Sequence, residues 1–392
     1  MPDAVIVAGA RTAIGTARKG TLLDVSAFDL AKYAMGEALK RSGVPASDVD
    51  DAQMGEVLQG GGDIARYAAL ELGLQEVPGV ALNRHCASGM AAVQGAAASV
   101  IAGMDRVVIA GGAESLSTTP MAYKRVLGTD DTEPWMSPSH REQPDAPSRD
   151  MSITVGWNTA KSAGLSRADC DAWALRSHQR AVRAIDEGRL QEEIVPIEVT
   201  RRDGETIVFD TDEHPRRDST MEKMQSLKPL HPEIDDFPIT AGNSSGLNDA
   251  GAAVMIVSSE YADAHGLAPM ARIISWASTG MHPRDTGLGP IAAIPKALTR
   301  GGLTVDDVDL AEINEAFASV PAAACRQLGL SEEITNVNGS GCSLGHPVAA
   351  TGARMIITTM YELRRRGGGI GLASMCAGGG MGSATVFEVL PG

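Results

Sequence analysis

Two stretches of this chain, far apart in sequence, read as copies of one another. Gly43-Val44-Pro45-Ala46-Ser47-Asp48-Val49-Asp50-Asp51-Ala52-Gln53-Met54-Gly55-Glu56 is similar to Gly302-Leu303-Thr304-Val305-Asp306-Asp307-Val308-Asp309-Leu310-Ala311-Glu312-Ile313-Asn314-Glu315 when Glu56 is aligned with Glu315. Ala4-Val5-Ile6-Val7 opens the first half as Ala271-Arg272-Ile273-Ile274 opens the second. An Asn-containing turn leads into a helix in both, from Asn83 and from Asn338. The spacing is far too long for a solenoid, whose units recur every ~20–50 residues. A duplicated α/β domain fits, and two such halves can contribute residues to one shared site.

The local pattern points the same way. Residues 5–7, 79–82 and 107–110 are short apolar runs that read as buried strands. Residues 30–42 and 90–102 read as helices closed by Gly43 and Gly103. Strands alternating with helices imply an α/β architecture on a largely parallel sheet. The middle differs, holding ten of the 20 prolines and three of the 4 tryptophans between Pro120 and Pro238. There, residues 167–188 read as an amphipathic helix and the rest as loops and short strands. An irregular insertion on a rigid scaffold is a usual place for substrate-binding loops. A structural or oligomerising arm would have the same composition.

Charge and cysteine usage exclude several classes. Lys+Arg total 34 against 49 Asp+Glu, for a formal net charge of −15. That is the reverse of a nucleic-acid binder's basic footprint. No stretch approaches the ~20 apolar residues of a membrane helix. The N-terminus lacks a basic leader and the tail lacks a lipidation signal, so the expectation is a cytoplasmic protein with no membrane partner. Five cysteines in 392 residues do not make a disulfide framework and suggest free thiols in a reducing compartment. Glycine is the outlier: at 44 residues it is about 11% of the chain against a typical ~7%. The backbone must turn tightly or approach something closely in many places.

Three segments place reactive side chains beside those glycines. In Val80-Ala81-Leu82-Asn83-Arg84-His85-Cys86-Ala87-Ser88-Gly89-Met90 a strand ends and a helix begins just after the cysteine. The positive end of a helix dipole lowers a thiol's pKa and favours thiolate, while Ala87, Ser88 and Gly89 leave room for an acyl group. A cysteine packed as a small hydrophobe is the alternative. In Asn336-Val337-Asn338-Gly339-Ser340-Gly341-Cys342-Ser343-Leu344-Gly345-His346-Pro347, followed by a helix from about Thr351 to Arg365, Pro347 suits a first helical turn. His346 therefore stands at a loop-to-helix junction, either as base to a neighbouring thiol or as a solvated capping residue. In Ile370-Gly371-Leu372-Ala373-Ser374-Met375-Cys376-Ala377-Gly378-Gly379-Gly380-Met381-Gly382 a second strand delivers a cysteine into a glycine loop. Free N–H groups in such a loop can stabilise an oxyanion. A phosphate cradle competes, but no Lys-Ser or Lys-Thr follows and no G-x-G-x-x-G occurs. No C-x-x-C or H-E-x-x-H is present, so no metal is expected. Cys170 and Cys325 fall on helical stretches as packing residues, and Cys342 has no assignable role.

Together these segments resemble the thiolase family. Asn83–Gly89 is similar to its N-x-x-C-x-S-G, Asn314-Glu315-Ala316-Phe317 to its N-E-A-F, and Gly345-His346-Pro347 to its G-H-P. Cys376-Ala377-Gly378-Gly379-Gly380-Met381-Gly382 is similar to its C-x-G-G-G-M-G, and Ala241-Gly242-Asn243-Ser244-Ser245-Gly246-Leu247-Asn248-Asp249 to its A-G-N-x-S-G-x-N-D. The boxes stand in the family's order and span the chain.

The resemblance implies a five-layered α-β-α-β-α sandwich of two similar halves. The first would cover 1–268, with a loop domain at about 117–245 inserted over the coenzyme A channel, and the second 269–392. It also implies reversible thioester Claisen chemistry. Cys86 would be acylated while His346 takes its proton, and Cys376 would move the α-proton of the second acyl-CoA. His346 and a water held by Asn314 would form one oxyanion hole, and the N–H groups of Cys86 and Gly378 the other. Ser245 and Arg216 would contact coenzyme A. Coenzyme A and its thioesters would be the substrates, with no permanently bound cofactor, and the assembly a homodimer or homotetramer. Arg84-His85, Ser340-Gly341-Cys342-Ser343 and Thr154-Val155-Gly156-Trp157-Asn158 depart from the usual pattern and leave acyl preference open. A ketosynthase-type enzyme usually carries His in place of the second cysteine. A silent acyl-CoA-binding relative would lack Cys86, His346 or Cys376.

Overall fold

In the computed structural model, which describes residues 2–392, the first half is laid down by β1 (Ala4–Thr12), α1 (Ala27–Ser42), β2 (Asp51–Gly55), β3 (Gly79–Leu82), α2 (Ser88–Ala102) and β4 (Val107–Ser115). A long insertion containing α3 (Arg167–Asp186) follows, and β5 (Asn248–Ser258) returns to the sheet. The second half comprises β6 (Ala271–Gly280), α4 (Gly289–Arg300), β7 (Leu310–Ile313), α5 (Thr351–Arg365), β8 (Gly369–Ala377) and β9 (Met381–Val389).

The strand order is β1-β5-β4-β2-β3 in one half and β6-β9-β8-β7 in the other, and β1 pairs antiparallel with β6 to join them. The two orders correspond position by position. β2 and β7, which carry the repeated segments, occupy equivalent places, each preceded by a 3₁₀ turn (Ala46–Asp48 and Val305–Asp307). α1 covers the outer face of the first half-sheet, α4 that of the second, and α2 packs on α5 between them. The result is the five-layered sandwich.

Side-chain periodicity explains the placement. α1 is capped by Ser26 and closed by Gly43 in the left-handed conformation, and buries Leu30, Ala31, Ala34, Met35 and Ala38 at helical spacing. α2 has no polar face to offer: Met90, Val93, Ala96, Ala97 and Val100 are fully buried against Ile356, Ile357 and Met360 of α5. Each such large apolar side chain contributes about 1.5–3 kcal/mol by leaving water, so this central layer is the firmest part of the molecule.

Four sequence readings need correction. The sheet is mixed rather than largely parallel: only the β2–β3, β2–β4 and β7–β8 pairings in the strand order above are parallel, and the other five are antiparallel, because hairpin and return connections set neighbours that alternation of strands and helices does not reveal. Residues 79–82 form a strand, but β3 is the outer edge strand, paired only with β2, and Val80 is exposed. An apolar run signals a strand without saying whether a neighbour covers it. α2 begins at Ser88, two residues before the 90–102 stretch its apolar pattern marks, in keeping with a helix that starts just after Cys86. Residues 152–163 are helical, a π-helical turn (Ser152–Trp157) running into Asn158–Ala163, where the sequence reads as loop or strand. β-branched Ile153, Thr154 and Val155 mislead there. The segment is held by tertiary contact: Gly156 lies against Phe317, and Ser319 Oγ donates to the Gly156 carbonyl at 2.9 Å.

The insertion is pinned to both halves. Arg11 of β1, fully buried, donates through Nε to Glu193 at 2.7 Å and through both Nη atoms to Asp212 at 2.8 Å. Thr358 of α5 reaches the same Glu193 at 2.9 Å.

Candidate active site

Cys86 is presented by a tight turn between β3 and α2. His85 takes a left-handed φ of 46°, uncommon for a residue with a side chain. Two side chains enforce it: Asn83 Oδ1 accepts the His85 N–H at 2.9 Å, and Ser88 Oγ accepts the Arg84 N–H at 2.9 Å while donating to the His85 carbonyl at 2.6 Å. Backbone strain held by several hydrogen bonds is characteristic of functional turns. The N–H groups of Cys86 itself and of Gly378 point at the Cys86 thiol. The second thiol, Cys376 at the end of β8, is buried within electrostatic reach of the first. Sequence positions from both halves thus converge.

His346 lies in the segment leading into α5. Its N–H donates to Asn248 Oδ1 at 3.0 Å. Gly345 must be glycine, because it sits at φ 112° with a Cβ position already filled by the Asn248 side chain. His346 Nδ1 is 2.7 Å from Thr351 Oγ1, and that hydroxyl gives its own proton to the Pro347 carbonyl, also at 2.7 Å. A hydroxyl has one proton to give, so the imidazole carries its hydrogen on Nδ1. The Nε2 lone pair is left to face Asn314 Nδ2, 3.4 Å away. Asn314 Oδ1 is buried with no protein donor among the described residues.

The electrostatics correct the helix-dipole expectation. Burial pushes the Cys86 thiol up to about 11, outweighing the two N–H donors aimed at it, with a further contribution from Glu114. Burial and nearby Arg354 push His346 down to about 3. At rest both groups are therefore neutral, one a thiol and the other an imidazole. This arrangement suits proton transfer at the moment of attack better than a standing thiolate. Cys86 alkylation by iodoacetamide, followed by mass spectrometry, should climb steadily from about pH 6 to about pH 10 without levelling. A plateau near neutrality would show that the ion pair already exists.

The remaining positions are less central. Ser245 N–H donates to the Ala316 carbonyl at 3.0 Å, which ties it to the Asn314–Phe317 box. Arg216 is exposed, its N–H donating to His178 Nδ1 at 3.1 Å, and it stands with Arg183 and Arg217 on the surface of the insertion rather than among the thiols. Cys342 acquires a place: its N–H donates to Glu315 Oε2 at 3.1 Å, and burial pushes its thiol well up. Glu315 also accepts from Trp173, Ser177 and Asn336, so it braces the insertion against the loop before His346. A surface cleft of about 810 Å³ between Lys19, Tyr33 and Arg201 holds neither thiol nor imidazole.

Residues 4–260 match the family model for the thiolase N-terminal domain, and residues 267–389 the model for the thiolase C-terminal domain. The chain belongs to the thiolase family. It is 40% identical to an acetyl-CoA acetyltransferase of Syntrophomonas wolfei, over 99% of both chains. It is also 40% identical to a 3-ketoacyl-CoA thiolase of Bacillus subtilis, over 99% of this chain and 100% of that one. Among solved structures, the Bacillus anthracis acetyl-CoA acetyltransferase superposes with a TM-score of 0.93 at 40% identity, covering 100% of this chain and 99% of the other. This thiolase is accordingly an acyltransferase. Asn248 and Thr351 hydrogen-bond to His346, and Glu114 to Ala349 three residues further on. Asn248 fell inside a quoted motif without a role, and Glu114 is an acid closing an apolar strand, a signal the sequence did contain.

Proposed function

We propose that this chain catalyses thioester Claisen condensation and its reverse, thiolysis, through an acyl-Cys86 intermediate. The observation that carries it is a Cys86 thiol that meets the N–H of Gly378 and the buried Cys376 thiol from the other half, together with a buried His346 that turns its Nε2 lone pair toward Asn314. In acylation, Cys86 Sγ attacks the thioester carbon as His346 Nε2 takes the thiol proton. The oxyanion is held by the N–H groups of Cys86 and Gly378. The bond to sulfur of coenzyme A then breaks, and its thiolate leaves with the proton from His346. In condensation, His346 Nε2 takes the Cys376 proton, and the Cys376 thiolate removes the α-proton of a second acyl-CoA, whose enolate oxygen then accepts from His346 Nε2–H and from a water held by Asn314. The carbanion attacks acyl-Cys86, the Cys86–acyl bond breaks, and the Cys86 thiolate takes its proton back from His346. A thiol as strongly desolvated as Cys376 makes a strong base once ionised, as the weakly acidic α-carbon of a thioester demands.

Coenzyme A and its thioesters are the only small molecules this scheme needs. Ser245 and Arg216 are the positions assigned to coenzyme A, Ser245 near the catalytic box and Arg216 on the outer rim. Two reactive thiols need reducing surroundings, which supports the cytoplasm. A second copy of the chain is the natural cover for the free edge of β3, and four copies for the hairpin of residues 122–135, where Tyr123, Leu127 and Trp135 are exposed. These features support a homodimer or homotetramer, with the domain division at residue 268 and the loop domain at about 117–245.

Incubation with acetyl-CoA, read by intact mass, should show one acetyl adduct that is absent in Cys86→Ser. A series of 3-ketoacyl chain lengths then ranks the substrates. No adduct and no thiolysis from any of them would overturn the reading.

A further inference from the structure

Glu114, next to last in β4, is fully buried and has no cationic partner among the described residues. Its Oε1 accepts the Leu58 N–H at 3.0 Å and Gln59 Nε2 at 2.6 Å, and its Oε2 accepts the Ala349 N–H at 3.1 Å. Ala349 is three residues beyond His346. Its carbonyl occupies the space where a side chain on Gly89, at the start of α2, or on Gly112 of β4 would stand. One carboxylate therefore joins the loop after β2, the end of β4 and the His346 segment, just where that segment rests on the helix that follows Cys86. An unpaired carboxylate in such a place is costly to bury, and a purely structural brace has no need of its charge.

We propose that Glu114 is a positioning residue for acyl transfer: its two oxygens hold the His346 backbone in register with the Cys86 turn, and its charge opposes a free thiolate at Cys86 in the resting enzyme. The inference rests on the reading that Cys86 is the acylated thiol. Burial pushes Glu114 up to about 7 against the three donors that favour its charge. The titratable groups facing it are Cys86, from the turn before α2, and Glu56, from the end of β2. Glu56 is itself buried; its Oε1 accepts the Gly61 N–H at 2.9 Å and its Oε2 has no partner.

Glu114→Gln and Glu114→Asp separate the two roles. An amide has one acceptor oxygen, so in Glu114→Gln a donor must face a donor, at Ala349 or at Leu58 and Gln59. Acetyl transfer by this variant should show kcat lowered about 10–100-fold, the scale of lost outer-sphere support, with KM for acetyl-CoA little changed. The pH at which Cys86 alkylation reaches half its maximum should fall by about one unit. Glu114→Asp keeps the charge on a shorter arm, so the alkylation midpoint should stay while kcat drops. Folded Glu114→Gln with native kcat, or with an unmoved midpoint, overturns the proposal. Should Glu114→Gln fail to fold, Gln59→Leu removes one of the donors that fix the carboxylate while leaving it ionised at the pH of Cys86 alkylation, so kcat should fall by a smaller step with the midpoint unmoved, and native kcat overturns the proposal. Alkylation is read without turnover, so a native protein that alkylates but transfers no acyl group counts against the thiolase chemistry and not against Glu114.

Discussion

Cys376→Ala should accept an acetyl group from acetyl-CoA onto Cys86 at close to the native rate, yet condense two acetyl-CoA about 10²–10⁴-fold more slowly. The split follows from the geometry. Acylation uses Cys86, His346 and the N–H of Gly378, and the backbone of β8 that carries Gly378 forward is unchanged by loss of one sulfur. Condensation needs a base for the α-carbon, and the buried Cys376 thiol, within electrostatic reach of Cys86, is the group assigned to that step. Thiolysis should suffer alongside condensation, since its leaving enolate must be protonated by the same thiol. Intact-mass detection of the adduct and a spectrophotometric assay of acetoacetyl-CoA cleavage measure the two steps separately. Equal loss of both would refute the division of labour.

His346→Ala should abolish both steps, with a combined loss of about 10⁴-fold or more. One imidazole serves as acceptor of the thiol proton, worth about 10²–10⁴-fold, and as one donor to the enolate oxygen, worth about 10²–10³-fold. The two effects fall on successive half-reactions and will not simply multiply. A single-turnover measurement of acylation isolates the first: if His346→Ala acetylates Cys86 at the native rate, the base must be sought elsewhere. Coenzyme A binding, followed calorimetrically, should be nearly unchanged, because the imidazole is only 6% exposed and offers little surface to a nucleotide.

How much of this was legible from sequence depends on whether the cause is local. Alternation of apolar runs with helical stretches reveals the α/β class, while the five layers came from the family resemblance; α5 begins at Thr351 and ends at Arg365 as read, because Pro347 and the basic residues after Leu363 punctuate it. The edge position of β3 was not legible, since Gly79–Leu82 carries the composition of a covered strand. Nor was the π-helical turn at Ser152–Trp157, which depends on Phe317 and Ser319 from the other half. At the site, the two thiols and His346 were marked by adjacent glycine loops. Thr351, Asn248 and Glu114 act on groups to which only the folded chain brings them. The protonation of Cys86 was misjudged for the same reason: a helix dipole can be inferred from sequence, but the depth of burial that overrides it cannot.

The anchoring of Arg11 to Glu193 and Asp212 bears on attempts to re-engineer this enzyme. The insertion looks like a cassette, entered after Ser115 and left before Asn248, and exchanging it between relatives is an obvious route to new acyl preferences. Two of its carboxylates, however, meet a guanidinium donated by the first strand, and one of them also takes a hydrogen bond from Thr358 near the other end of the chain. A graft that brings an apolar residue to either acidic position would strand a charge in the interior. A chimera therefore has to carry Arg11 and Thr358 with the transplanted segment, as parts of one heritable unit scattered across the gene.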